Sequence, residues 1–396
     1  MTPTRLAILS THPIQYHAHW FRALAAHPDL DLSVFYCYQA GPADQARAGF
    51  GVEFDWDIPL LEGYRYGFLN GARNKPGGFF ALEAPDIART LARENCDAVL
   101  INGWHYKAAW QTIIACRKLR IPVIVRGDSQ LASRRGPLKR FLKYPLYRLF
   151  IPRLDACLAV GTRSRDYYLH YGARPERVFL VPHTIENDFF QRAAQNVQPR
   201  RHLLRQHWGL QDRQVVFLFV GKLVAIKRPM DFLLAIEAAA EKEPLVAGLM
   251  VGDGPLRLAC ERFVSIRKLP VRFAGFLNQR QMVEAYVAGD CLVLPSDGET
   301  WGLVVNEAMS CSRPAVVSDT VGCAIDLVRD GLSGAVFPRG DVEALSRILV
   351  ALARDPDRLR AMGESARAGL QPYGLDAAVR GVVHAVEAVT SKGRTK

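Results

Sequence analysis

Short apolar runs alternate with helix-length amphipathic segments from one end of the chain to the other, and this alternation restricts the fold more than any single motif. In the first half RLAILS (5–10), DLSVFYC (31–37), DAVLING (97–103), IPVIVRG (121–127), DACLAVG (155–161) and RVFLVP (177–182) read as strands. Between them HAHWFRALAAH (17–27), APDIARTLAREN (84–95) and YKAAWQTIIACRKL (106–119) read as helices, while the Gly-rich stretch from Gly41 to Gly78 reads as loops. Residues 188–213 carry no strand signal and suit a connection. The alternation then restarts with QVVFLFVG (214–221), LVAGLMVG (245–252), VRFAGF (271–276), CLVLPS (291–296), PAVVSD (314–319) and GAVFP (334–338). Strands separated by helices pair in parallel through right-handed crossovers. The expected fold is α/β, with two Rossmann-like parallel-sheet domains, residues 1–190 and 191–375, and a C-terminal helix in 376–396. A chain of 396 residues is longer than one core usually supports, which agrees with two domains.

The eight cysteines are scattered singly, several of them in apolar runs, with no Cys-x-x-Cys spacing. Reduced, buried thiols in a cytoplasmic protein follow better than disulfides or a zinc site. The N-terminal apolar run is too short for a signal peptide, and no 18-residue apolar window exists, so a soluble or peripheral protein is expected. The formal charge of +12 points to an anionic partner. Much of it lies in Arg134 to Arg153, which holds seven basic residues and no acidic one, interleaved with aromatics and leucines. That pattern suits the anionic inner face of a membrane; an ordinary helix with a solvated basic face explains it as well, and Pro145 and Pro152 are expected to break the helix. Nucleic acid is a poorer partner, because no nucleic-acid-binding module accompanies the charge.

The densest chemistry lies in PSDGETWGLVVNEAMSCSRPAVVSD, residues 295–319. An apolar strand precedes it, and Leu303, Val304, Ala308 and Met309 have the spacing of one buried helical face, so Pro295 to Trp301 is a strand-to-helix loop. Such a loop offers backbone N–H groups and the positive helix end to an anion, and Gly302 lets the backbone approach a diphosphate. Glu299 in the loop can reach hydroxyls of a sugar, and Glu307, two turns into the helix, those of a ribose; a carboxylate accepts from vicinal hydroxyls without a proton of its own.

Glu299, Trp301, Gly302, Leu303, Glu307, Ala308 and Met309 together resemble the Glu-x7-Glu signature of the retaining GT-B glycosyltransferases of family 4. Asn306 and Ser312 depart from the usual pattern, at positions that concern packing. The resemblance implies a GT-B fold, a nucleoside diphosphate sugar donor, a hydroxyl acceptor, and a last helix crossing back to the first domain. It extends to GKLVAIKRP (221–229), where Lys222 and Lys227 match the family's basic positions. Two lysines at a strand's carboxyl end can offset the charge growing on a departing diphosphate, although loop lysines alone are usually just solvated. By the same resemblance Gly221, Gly252, Gly254, Phe276, Leu277 and Thr300 border the donor nucleotide, and His105 in INGWHY contacts the transferred sugar. A tight turn needing glycine also explains GDGP (252–255), and simple packing explains a histidine between aromatics. His12, Gln15, Arg126 and Asp128 are acceptor candidates at strand ends of the first domain.

No Asp-x-Asp motif sits near the site, so lysines and helix-end amides, without a metal or other cofactor, are expected to hold the diphosphate. The expected activity is retaining glycosyl transfer in cell-surface glycan or glycolipid synthesis, with a lipid-linked acceptor as one option. Two alternatives stand beside it: a nucleotide-sugar 2-epimerase of the same fold, which needs an acid and a base over the sugar ring, and a silent nucleotide-sugar-binding partner, against which the intact acidic and basic residues argue.

Overall fold

A computed structural model describes residues 2–46, 51–70, 78–131 and 137–391, with side chains for all of these but 137–142. The chain divides into two compact units, residues 1–40, 59–184 and 373–396 in one, and 41–58 with 185–372 in the other. Each is built around a parallel sheet.

The first sheet holds β1 (Thr4–Ser10), β2 (Leu30–Tyr36), β3 (Arg65–Phe68), β4 (Ala98–Asn102), β5 (Val123–Gly127), β6 (Ala156–Ala159) and β7 (Val178–Leu180), in the order β3-β2-β1-β4-β5-β6-β7. The second holds β8 (Val215–Val220), β9 (Val246–Val251), β10 (Val271–Gly275), β11 (Cys291–Leu294), β12 (Ala315–Ser318) and β13 (Gly334–Phe337), in the order β10-β9-β8-β11-β12-β13. All pairings between these strands are parallel. Central strands such as β8 and β9 are buried along their whole length, as helices on both faces require, and so their sequences are continuous apolar runs instead of alternating ones. In each sheet the order reverses between the first strand and its later neighbour, β1/β4 and β8/β11. The loops at the carboxyl ends there diverge and leave a crevice, the usual place for a ligand in an open parallel sheet.

Four local expectations differ from the structure. Arg65–Phe68 in the supposed loop region forms β3, an edge strand with three exposed residues of four, whose missing apolar run left no strand signal. Residues 188–213 are not an open connection: helices Asn187–Val197 and Arg201–His207 pack on the second unit, burying Phe190 and the Arg205 side chain. The helix Pro137–Phe150 continues through Pro145, which lies on its exposed side, where water can satisfy the carbonyl that proline frees. And Gly41–Ile58, expected inside a continuous first domain, belongs to the second unit. There Phe54 lies 4.3 Å from Phe276 between ring centroids, Asn278 Nδ2 donates to the Asp55 carbonyl at 2.8 Å, and the Arg280 amide donates to Asp57 Oδ2 at 3.0 Å.

The last helix, Leu375–Thr390, lies in the unit of the first sheet. Its Val379, Val382, Val383, Val386 and Val389 join the apolar core with Trp20, Phe21 and Leu24 of helix Gln15–Ala25.

Candidate active site

The β8/β11 crevice brings together the residues singled out after those two strands. The loop after β8 carries Lys222 and Lys227, that after β11 carries Glu299, and Lys227 Nζ donates to Glu299 Oε2. Both side chains are one-fifth exposed. Burial holds Lys222 below the usual lysine range, the charge of Lys227 pushes the same way, and Glu299 partly opposes them. Two ammonium groups thus act across one carboxylate, an arrangement that a diphosphate would relieve.

The Glu299 loop is held by the loop after β12. Ser318 Oγ and Thr320 Oγ1 both donate to the Ser296 carbonyl, at 2.6 and 2.9 Å, and the Gly322 and Cys323 amides donate to the Glu299 and Trp301 carbonyls, at 2.9 and 3.0 Å. Arg339 Nη1 reaches Asp297 Oδ1 at 2.9 Å. These supports escaped the sequence reading, although small polar residues just past a strand, SDTVG, were a usable signal. Gly302 begins the helix Leu303–Ser310 at φ +104°, and a Cβ there would crowd Leu294, Glu299 and Val321. The Leu303 and Val304 amides precede the first bond of that helix, from the Val305 amide to the Gly302 carbonyl at 2.9 Å, and so lie at its positive end, just after β11.

The helix is buried differently from the expected single face. Leu303 and Val304 are half-buried, whereas Val305 through Ser310 are buried all round, because neighbouring helices enclose the helix. Trp301 is 3% exposed and its Nε1 donates to Asn306 Oδ1 at 2.9 Å. The tryptophan of the motif is therefore a core residue, and the unusual Asn306 is its hydrogen-bond partner. Glu307 is 4% exposed and Oε2 accepts from the Tyr286 hydroxyl at 2.7 Å. Thr300 is exposed. Because a buried carboxylate depends on such donors, Tyr286→Phe is expected to cost about 1–3 kcal/mol of stability, read by thermal melts; an unchanged midpoint would mean that Glu307 does not depend on the tyrosine.

Loops after β9 and β10 complete this edge. The Gly221 amide donates to the Val251 carbonyl at 3.0 Å and the Gly252 amide to the Gly275 carbonyl at 2.8 Å. Gly254 donates to Asp253 Oδ1 at 2.7 Å, and Asp253 is paired with Arg257 at 2.7 Å. Phe276 and Leu277 are half-buried, with Phe54 against Phe276.

In the first unit, His105 is exposed beside Tyr106, while Trp104 is the packed residue, donating to the Tyr147 hydroxyl at 3.0 Å. His12 Nδ1 lies 3.0 Å from Thr11 Oγ1, and its ring is 5.0 Å from that of Tyr38. Gln15 is 7% exposed and Asp128 half-buried. Arg126 is 4% exposed, with its guanidinium 4.7 Å over Trp20; Nη2 donates to the Pro182 carbonyl at 3.3 Å and lies 3.2 Å from His183 Nδ1. Burial pulls the guanidinium down to about 10. Burial and the Arg126 charge hold His17 and His183 well below the usual histidine range, and burial pushes His19 down to about 4. Asn102 Nδ2 lies 3.1 Å from His17 Nδ1. This polar group at the carboxyl ends of β4, β5 and β7 was not foreseen beyond Arg126. Among the described residues, no group of three or more His, Cys, Asp or Glu side chains is placed to hold a metal.

Comparison with known proteins agrees with this anatomy. The model for glycosyl transferases group 1 matches residues 201–369, and that for glycosyltransferase family 4 matches 17–189. The chain is similar to an alpha-D-kanosaminyltransferase of Streptomyces kanamyceticus, 28% identical over 65% of this chain and 68% of the relative. It is similar also to a D-inositol 3-phosphate glycosyltransferase of Streptomyces bingchenggensis, 29% identical over 53% of this chain and 47% of the relative, so the matches span about half to two thirds of these relatives' lengths. In fold it resembles Anabaena Alr3699/HepE, solved in complex with UDP, with a TM-score of 0.72 at 18% identity over 97% of this chain and 100% of that one. It likewise resembles WaaG, a glycosyltransferase involved in lipopolysaccharide biosynthesis, with a TM-score of 0.66 at 17% identity over 97% and 99% of the two chains. With both halves matched in order, and the acidic and basic residues of the signature meeting at the β8/β11 crevice, the chain belongs to the GT-B glycosyltransferases of family 4.

Proposed function

We propose that the protein moves a sugar from a nucleoside diphosphate sugar to a hydroxyl acceptor with retention at the anomeric carbon. The observation that carries this reading is the Lys227–Glu299 pair across the β8/β11 crevice, with Lys222 beside it. Lys222, Lys227 and the amides following Gly302 receive the diphosphate; Glu299 orients the sugar, Glu307 the ribose. In the transfer, the bond from the acceptor oxygen to the anomeric carbon forms on the face where the bond to the phosphate oxygen breaks. The departing phosphate oxygen takes the acceptor's proton, and the lysines stabilise the charge it leaves. A same-face route needs no carboxylate nucleophile. UDP is the first nucleotide to try, because the Anabaena protein of this fold was solved with it.

The test is turnover of a panel of UDP-, GDP- and ADP-sugars, with the product anomer read by NMR. Inversion at the anomeric carbon would overturn the retaining assignment, and no binding of any nucleotide sugar would overturn the donor class. EDTA is expected to leave the rate within twofold, since lysines replace a divalent ion; a strict Mg²⁺ or Mn²⁺ requirement would contradict that.

The acceptor is proposed to lie at an anionic membrane on the cytoplasmic side, in glycan or glycolipid synthesis. Tyr144, Leu146 and Leu149 are exposed on helix Pro137–Phe150 with Arg148 among them; Arg134 and Arg135, and the side chains of Lys139 and Arg140, fall outside the described residues. Lys143 faces inward, its ammonium 4.3 Å from the Tyr147 ring and 4.7 Å from that of Tyr167, so it is a packing residue. No described helix is long and apolar enough to cross a membrane. Each basic residue near such a surface contributes on the order of 1 kcal/mol, fading with salt. Co-sedimentation with anionic but not neutral vesicles, lost at high salt and weakened by changing Arg134, Arg135, Lys139 and Arg140 to Ser, is the expected result. Equal recovery with both vesicle types would return the segment to a solvated helix face.

A further inference from the structure

Arg126 sits in an unusual place for a cation. Buried guanidinium groups normally meet a carboxylate, because a charge taken out of water is costly unless it is paired. The described hydrogen bonds of Arg126 go instead to a backbone carbonyl and an imidazole, both from Nη2, and its Nε is buried without a hydrogen-bond partner. Asp128 acts on it through space only, and the Trp20 face 4.7 Å away offsets part of the cost. A further polar atom, Gln15 Oε1 at the start of helix Gln15–Ala25, is also buried without a hydrogen-bond partner. Toward the surface, His17, Asn102 and His183 are half-buried. Buried positive charge, an unused donor and half-exposed imidazoles at the carboxyl ends of three parallel strands make a site built for an anion.

We propose that Arg126, His17 and His183 bind a phosphoryl group carried by the acceptor, which refines the acceptor side of the proposed transfer and rests on that reading. A guanidinium fork fits two phosphate oxygens, and a buried one does so with little competition from water. The imidazoles are held neutral largely by desolvation and the Arg126 charge. A dianion placed between them reverses the second influence, so each can take up a proton and become a further donor.

The experiment uses the full chain saturated with UDP, which fills the donor anion site, and titrates inorganic phosphate while the imidazole resonances of His17 and His183 are followed by NMR. Both are expected to shift saturably, with titration midpoints raised by about one pH unit, and Arg126→Gln should abolish the response while calorimetric UDP affinity stays within twofold. Should Arg126→Gln fail to fold, His183→Gln, at a half-buried position, should weaken phosphate at least tenfold. No response in the parent protein, or equal phosphate affinity in His183→Gln, overturns the proposal. An equal response to acetate overturns the phosphoryl assignment in favour of a carboxylate. A hexose monophosphate and a short polyprenyl phosphate in detergent then distinguish a soluble from a lipid-borne source: saturation by either supports the site, and by neither overturns it. Failure of UDP to bind would sink the donor reading alone, because phosphate is sensed here at residues of the first unit.

Discussion

Lys227→Ala is expected to lower turnover by roughly two to three orders of magnitude, the loss typical of deleting one preorganised group that meets charge developing in a transition state. Glu299→Gln should lower it comparably, but by a different route, and the two can be separated. Lys227 and Glu299 are paired with each other, so removing the lysine takes a cation from the diphosphate and leaves a partly buried carboxylate facing it. UDP affinity should fall together with turnover. Removing the carboxylate charge leaves both lysines to the diphosphate, so UDP affinity should hold or rise while turnover falls, because the sugar loses the group that orients it. Lys222→Ala should resemble Lys227→Ala in direction, turnover and UDP affinity falling together, because it removes the second cation beside Glu299. Calorimetry with UDP and steady-state rates on the same preparations decide the matter. Activity within twofold of the parent in both Lys227→Ala and Glu299→Gln would take the pair out of the mechanism, whatever their spacing.

That pair was legible in the sequence because each member follows an apolar run, and sheet topology then places the ends of such runs together. Strand order does the rest: with β8 next to β11, the loops after them must adjoin. The other half of the signature was less legible. Whether Trp301 and Glu307 point at a ligand or into the core depends on Tyr286, on helix Gln279–Ala288, and on Asn306, and no local pattern encodes that pairing. Arg126 shows the same limit more sharply. Its position at a strand end could be read, but its neighbours His17 and Trp20, Asn102, and His183 come from three separate stretches of the chain, and only tertiary packing makes its charge unusual. For the fold, apolar runs found twelve of the thirteen strands among the described residues, and the miss was β3, an edge strand of Arg, Tyr, Gly and Phe. Within Gly41–Ile58, Pro42–Gln45 forms a short helix and residues 51–58 follow the loop composition, but the attachment to the second unit rests on Phe54 and on the Asp55 carbonyl and Asp57 carboxylate, features that a loop-rich composition hides.

Gly252→Ala is expected to disable the donor edge through backbone contact rather than lost chemistry. A Cβ at residue 252 would lie 2.1 Å from the Gly221 carbonyl oxygen and 2.9 Å from its carbon, both backbone atoms that no rotamer change can move. The residue also holds φ at +126°, which costs an alanine on the order of 1–3 kcal/mol by itself. Gly221→Ala makes the comparison, because its φ of +151° is strained too, yet its nearest neighbour would be the Lys227 side chain at 3.9 Å. Strain alone predicts similar losses in the two variants. Steric separation of the loops after β8 and β9 predicts more: a destabilisation above about 3 kcal/mol for Gly252→Ala, corresponding to roughly 6–12 °C for a unit of this size, with UDP affinity lost as Lys222 and Lys227 are carried away from Glu299. Thermal melts and UDP calorimetry on both variants read the difference. Equal melting temperatures and equal UDP affinity would mean that the two loops give way easily, and that the geometry around Lys227 and Glu299 is set by the loop after β12 instead.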